Sequence, residues 1–124
     1  MIIKRTIKQT WTNEDFGLTF TDNFLTNPET NISWRELWCE TNHKHIFLGQ
    51  DLSTKKAEKA IKKFILAHIK SKIKNRARDL DLKLKIRTLK NGLKVENETF
   101  DLTKYNNDYA WLLTMIFEHC FHKH

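Results

Sequence analysis

The stretch that most constrains this chain runs from Ser53 to Arg78, STKKAEKAIKKFILAHIKSKIKNRAR. No proline or glycine interrupts it, and Lys, Ala, Glu, Leu and Arg all favour helix. Ser53 or Thr54 suits the N-cap, where a hydroxyl takes an orphan amide of the first turn. With Ser53 as the cap, Leu52 and Ala57 hold the hydrophobic-staple positions. At about 100° per residue, Ala57, Ala60, Ile61, Phe64, Ile65 and His68 share one stripe. The row Ile61, Ile65, Ile69, Ile73, Ala77 then drifts round the cylinder by about 40° per step. Opposite the first stripe, Lys55, Lys56, Lys59, Lys62, Lys63, Lys70 and Lys74 fall within about a third of the circumference. Such a helix would span about 37 Å, and the expectation is that it forms the spine of the fold.

Ten Lys and Arg stand in this stretch against one acid, Glu58, so its +9 exceeds the +7 of the whole chain. A solvated helix face usually mixes signs, which supplies i,i+4 pairs and limits self-repulsion. A nearly pure positive face points instead to a polyanion, with a merely solvated lysine face as the competing reading.

At 124 residues the chain is long enough to bury a core without staples, and a single domain is expected. Forty per cent hydrophobic residues, with four Trp and eight Phe, exclude a disordered polyelectrolyte. Two cysteines, Cys39 and Cys120, make no disulfide framework and suit a reducing compartment. No apolar run reaches the length of a membrane span, nor is there a secretory h-region. Lys outnumbers Arg 17 to 5, and Ile and Asn are abundant. That bias fits an AT-rich genome, so a cytoplasmic setting in a bacterial or phage-infected cell is expected.

In chain order, residues 1–11 read as a strand with Ile3, Ile7 and Trp11 on one side. Thr12–Asp15 is a polar turn, and Phe16–Thr21 alternates as the second strand of a hairpin. Residues 22–31, which hold the only proline, read as a loop. Ser33–Thr41 carries conflicting signals. Ser33 and Glu36 fit a capping box, whereas Trp34, Leu37, Trp38 and Cys39 suit a strand. A hairpin of 34–41 with 45–49, turning at Asn42–Lys44, is the narrower preference.

The junction HIFLGQDLSTKKAEKAI, residues 45–61, resembles the strand–Gly–helix junction of double-stranded-RNA-binding domains and of the arm-binding domains of phage integrases. Gly49, Ser53, Ala57 and Ala60 carry the likeness. The Lys55–Lys56 pair sits one place late, and the upstream elements follow neither family. The resemblance implies a basic helix turned towards nucleic acid.

Beyond the long helix, Leu82–Arg87 alternates apolar and basic residues, and Asn91-Gly92 is a two-residue hairpin signal. Pairing Lys90 with Leu93 would set Arg87 opposite Glu96 and Lys85 opposite Glu98. Residues 106–121 read as a closing helix capped by Asn106 or Asn107. Its apolar residues leave little polar face, so it serves either the core or a partner, a second copy of the chain among the candidates.

Cys39, His43 and His45, and His119, Cys120, His122 and His124, are the groups that zinc would need. Their spacings match no established finger, and no metal or cofactor is expected. His43, His45 or His119 could serve a histidine-dependent ribonuclease, but no nucleophile elbow, Walker loop or paired-carboxylate motif is present. Trp11, Trp34, Trp38 and Trp111 are read as core, with at most one of Trp34 and Trp38 on a binding surface.

The expectation is therefore an α+β fold of antiparallel hairpins packed on a long basic helix, with an apolar C-terminal helix. Its expected function is non-enzymatic binding of RNA, DNA or a nucleoprotein complex. The residues expected to carry it are Lys55, Lys56, Lys59, Lys62, Lys63, Lys70, Lys74, Arg76 and Arg78, extended by Lys83, Lys85 and Arg87. A second reading is an inhibitor or adaptor that contacts an acidic protein surface of a nucleic-acid machine. Small phage anti-defence proteins, including anti-CRISPR proteins, are similar to the chain in size and character.

Overall fold

A computed structural model describes residues 2–41 and 43–122. The chain is α+β, with two antiparallel sheets and two helices. By internal contacts it divides into two compact units, residues 1–61 and 62–124.

The first unit is a four-stranded meander, β1 (Lys4–Asn13), β2 (Leu18–Asn27), β3 (Ile32–Glu40) and β4 (His45–Gln50), in the order β1-β2-β3-β4. The two turns that open it have local causes. Gly17 adopts φ +64° at the end of the first, where a side chain would be strained. Asn31, at φ 60°, closes the second and donates its backbone N–H to the Asn27 carbonyl at 2.8 Å. The expected start at Met1 and the turn residue Asn42 lie outside the described residues.

The loop expected over residues 22–31 is a turn of 28–31 only, because β2 runs on through Asn27. Asp22 and Asn23 are polar enough to suggest a loop, yet both are buried with partners. Arg35 forks onto Asp22 (2.6 and 3.4 Å) and also reaches the Leu52 carbonyl at 2.9 Å. Asn23 donates to the Thr21 hydroxyl (2.9 Å) and to the Thr21 and Glu36 carbonyls. Satisfied in this way, the polar pair can sit inside a sheet. The narrower preference for a hairpin over residues 34–49 agrees with β3 and β4.

Register gives this sheet two unlike faces. Leu18, Phe20, Leu37 and Cys39 are buried on one. Trp34, Glu36, Trp38 and Glu40 alternate onto the other.

Helix α1 (Thr54–Asp79) begins in the first unit and continues in the second. The Ser53 hydroxyl accepts from the Lys56 amide at 3.3 Å, as expected of the N-cap.

The second unit adds a three-stranded sheet, β5 (Ile86–Leu89), β6 (Gly92–Val95) and β7 (Glu98–Asp101), a 3₁₀ turn at Leu102–Tyr105, and helix α2 (Tyr109–Phe121). Leu93, Val95, Phe100, Leu102, Leu112 and Ile116 form its core together with Leu66, Ile69 and Ile73 of α1. Asn106 and Asn107 do not cap α2. Both have positive φ, at 55° and 58°, whereas an N-cap needs extended backbone. Asp108 supplies that conformation, and its carboxylate accepts from the amides of Ala110 (3.0 Å) and Trp111 (3.1 Å). Trp111 is 43% exposed at the start of this helix, edge-on to Tyr105 at 5.6 Å, so it is not the core residue expected.

Candidate functional site

The buried row of α1 is Ala57, Ile61, Ile65, Ile69, Ile73 and Ala77, each four residues on from the last. At about 40° of drift per step it crosses into the lysine arc by the C-terminal half of the helix. Leu66 falls inside that arc and is fully buried. The arc is therefore not a uniform solvent face. Lys55, Lys56, Lys59, Lys63, Lys74, Arg76 and Arg78 are exposed, while Lys62 and Lys70 are half-buried. Lys62 donates to the Asn91 side-chain oxygen at 2.8 Å, which ties it to the β5–β6 turn.

The charge is divided unevenly between the two units. Residues 1–61 hold eight Lys and Arg against eight acids, and residues 62–124 hold fourteen against seven, so the whole +7 resides in the second unit. There a groove of about 580 Å³ opens beside the carboxyl end of α1, lined by Lys74, Arg78, Lys83 and a single acid, Asp81. Ile86 lines both this groove and a smaller one of about 210 Å³, where Lys85, Arg87 and Lys94 meet Glu96. Residues 82–85 precede the ladder of β5, yet the expected alternation persists in burial. Leu82, Leu84 and Ile86 are half-buried, and Lys83, Lys85 and Arg87 are exposed.

The hairpin register differs from the expected one. Leu89 pairs with Gly92, so Lys90 and Asn91 make the turn and Arg87 lies opposite Lys94 rather than Glu96. Gly92 sits in the strand because β7 approaches too closely for a side chain; a Cβ there would lie 2.0 Å from the Phe100 carbonyl oxygen. Glu96 instead extends the pairing through its backbone, donating to the Lys85 carbonyl at 2.8 Å, while its carboxylate accepts from the Lys85 amide at 3.0 Å. Two cations thus face each other across the strands, an arrangement that costs stability. Lys94 is the basic residue that sequence reasoning missed, and only the two-residue shift in register reveals it. Among the described residues none of Lys74, Arg78, Lys83, Lys85, Arg87 and Lys94 is in an ion pair.

The first unit has a different chemistry. Trp34 and Trp38 donate their indole N–H groups to the two carboxylate oxygens of Glu36, at 2.8 and 2.9 Å. Trp38 also meets Phe47 edge-on at 5.5 Å. His43 and His45 are exposed in this unit, whereas His119 lies on α2 of the other, against Phe100. Cys39 is fully buried, which pushes its thiol pKa up, with the Glu40 charge adding to the effect. Burial likewise raises the half-buried Cys120 thiol, with a smaller contribution from Glu96. Among the described residues no three His, Cys, Asp or Glu side chains gather as a metal site, and His124 lies outside them. Among them, too, no helix is long and apolar enough to cross a membrane. Comparison of the chain with protein-family models, curated proteins and solved structures yields no match.

Proposed function

We propose that this protein is a non-enzymatic binding module that engages RNA or DNA, free or within a nucleoprotein complex, through the basic face of its second unit. The observation that carries the reading is the pair of adjoining grooves in which Lys74, Arg78, Lys83, Lys85, Arg87 and Lys94 meet only two acids. Phosphates would relieve the repulsion that Arg87 and Lys94 impose on each other. The exposed Lys63 and Arg76 extend the positive surface along α1 within the same unit.

Six cations partly offset by two acids correspond to about four or five phosphate contacts, hence a log–log salt slope of about −4 for duplex DNA and shallower for single strands. Fluorescence titration of labelled duplex DNA, single-stranded DNA and hairpin RNA at two salt concentrations tests this. Lys83→Glu combined with Arg87→Glu, both exposed, should weaken binding to every sequence and flatten the slope by about 2, with melting unchanged or slightly raised, because Glu at 87 would face Lys94 with the opposite charge. Equal, salt-insensitive affinity in wild type and double variant would overturn the reading. Affinity for an acidic protein surface alone would support the inhibitor or adaptor reading instead.

A further inference from the structure

The open face of the first sheet carries a site whose charge is opposite to that of the second unit. Glu36 is held by two neutral indole donors, so its orientation is fixed while its charge is left uncancelled. Each of its oxygens keeps a lone pair for a further donor. Arg5 spans the face, donating to the Asn23 side-chain oxygen at 2.6 Å and to Oε1 of Glu40 at 3.1 Å. His45 approaches the same Glu40 oxygen at 3.8 Å, and among the described residues no donor reaches Oε2. A cavity of about 280 Å³ opens among these groups, walled on one side by Trp38. Two carboxylates, Glu36 and Glu40, line the cavity, and its one guanidinium, Arg5, pairs with Glu40 alone. An aromatic wall beside a surplus carboxylate favours a diffuse organic cation, above all a guanidinium, which can stack on the indole while its N–H fork meets the carboxylate.

The surroundings indicate where that cation comes from. Register sets Ile7 and Phe47 on this same face, across from Asn23 and Trp38 respectively, and they are 53% and 49% exposed. A small metabolite seated in the cavity would leave both uncovered, whereas a polypeptide passing over the face would cover them. We propose that the sheet face bearing Trp34, Glu36 and Trp38 docks an arginine-bearing protein segment, with one guanidinium seated between Trp38, Glu36 and Glu40. The inference is independent of the polyanion reading, because every residue it uses lies in the first unit.

The test is ¹⁵N NMR of the four indole N–H groups, assigned by single Trp→Phe variants, during titration with a capped nine-residue peptide of alternating glycine and arginine. The protein's net charge of +7 opposes non-specific uptake of such a peptide. The Trp34 and Trp38 resonances should shift, while Trp11, on the opposite face, and Trp111, in the other unit, stay put. The same peptide with neutral citrulline in place of arginine should shift nothing. Glu40→Gln should weaken binding about tenfold, the worth of one charge-assisted hydrogen bond in a partly open site. Because both indoles donate to Glu36 and not to Glu40, this variant leaves the indole contacts in place. Equal binding of the citrulline peptide would overturn the proposal, as would agmatine binding as tightly as the peptide. Indole shifts produced by an oligonucleotide and not by the peptide would do the same.

Discussion

Replacing Leu66 by alanine separates the periodicity of the helix from its burial. On helical geometry alone Leu66 lies amid Lys59, Lys62, Lys63 and Lys70, where a truncation should cost almost nothing; in the structure it is fully buried. The change removes three carbon groups from contact with the interior. At about 0.8 kcal/mol for each buried CH₂, the lost transfer energy is about 2.4 kcal/mol. A partly collapsed cavity adds about 0.5–2 kcal/mol, so a total loss of about 3–4 kcal/mol is expected. Urea denaturation followed by circular dichroism measures it as a lower midpoint at unchanged slope. Lys63→Ala, one turn back on the exposed side of the arc, is the internal control and should change stability by less than about 0.5 kcal/mol. A Leu66→Ala loss no larger than that of the control would mean the lysine arc is solvated throughout and the buried row does not cross it.

Gly92→Ala would set a methyl group against the Phe100 carbonyl and force the β6 and β7 backbones apart. It should lower stability by about 2–4 kcal/mol, with amide exchange accelerating first in β6 and β7. A variant as stable as wild type would refute the register. His68 has its pKa lowered by burial first and by the neighbouring Lys72 charge second. The unfolded chain therefore binds that proton more readily than the folded one, and stability should fall as pH drops below about 6.5 and on through the lowered folded value. Melting curves between pH 7.5 and 5 should show this fall, and His68→Gln should remove its share of it; an unaltered pH profile in the variant would count against the burial.

What the sequence disclosed followed from local rules. The Ser53 cap, the uninterrupted helix, the alternation around Leu82–Arg87 and the strand character of Trp34–Cys39 all depend on residues within a few positions of one another. What it hid depended on partners far along the chain. Nothing near Asp22 and Asn23 shows that Arg35 and Glu36 will satisfy them thirteen residues later. Asn91-Gly92 resembles a turn until β7 is known to need the glycine for its own approach. The cap of α2 moved to Asp108 because two asparagines before it took the left-handed conformation that the preceding 3₁₀ turn required. The basic surface was legible in composition; its concentration on the second unit needed the division of the chain, and the place of Lys94 opposite Arg87 needed the register.

If the second unit binds a polyanion as proposed, the Arg87–Lys94 pairing makes ionic strength act on this protein with two signs. In the free chain, added salt screens the cation facing its neighbour across the strands and so firms the small sheet. In a complex with a polyanion the same salt competes for the phosphates and draws the ligand away. Free protein and complex would then respond to salt in opposite directions, their melting curves converging as the concentration rises. At low salt a bound polyanion would then add to the small sheet a stability that the free chain lacks.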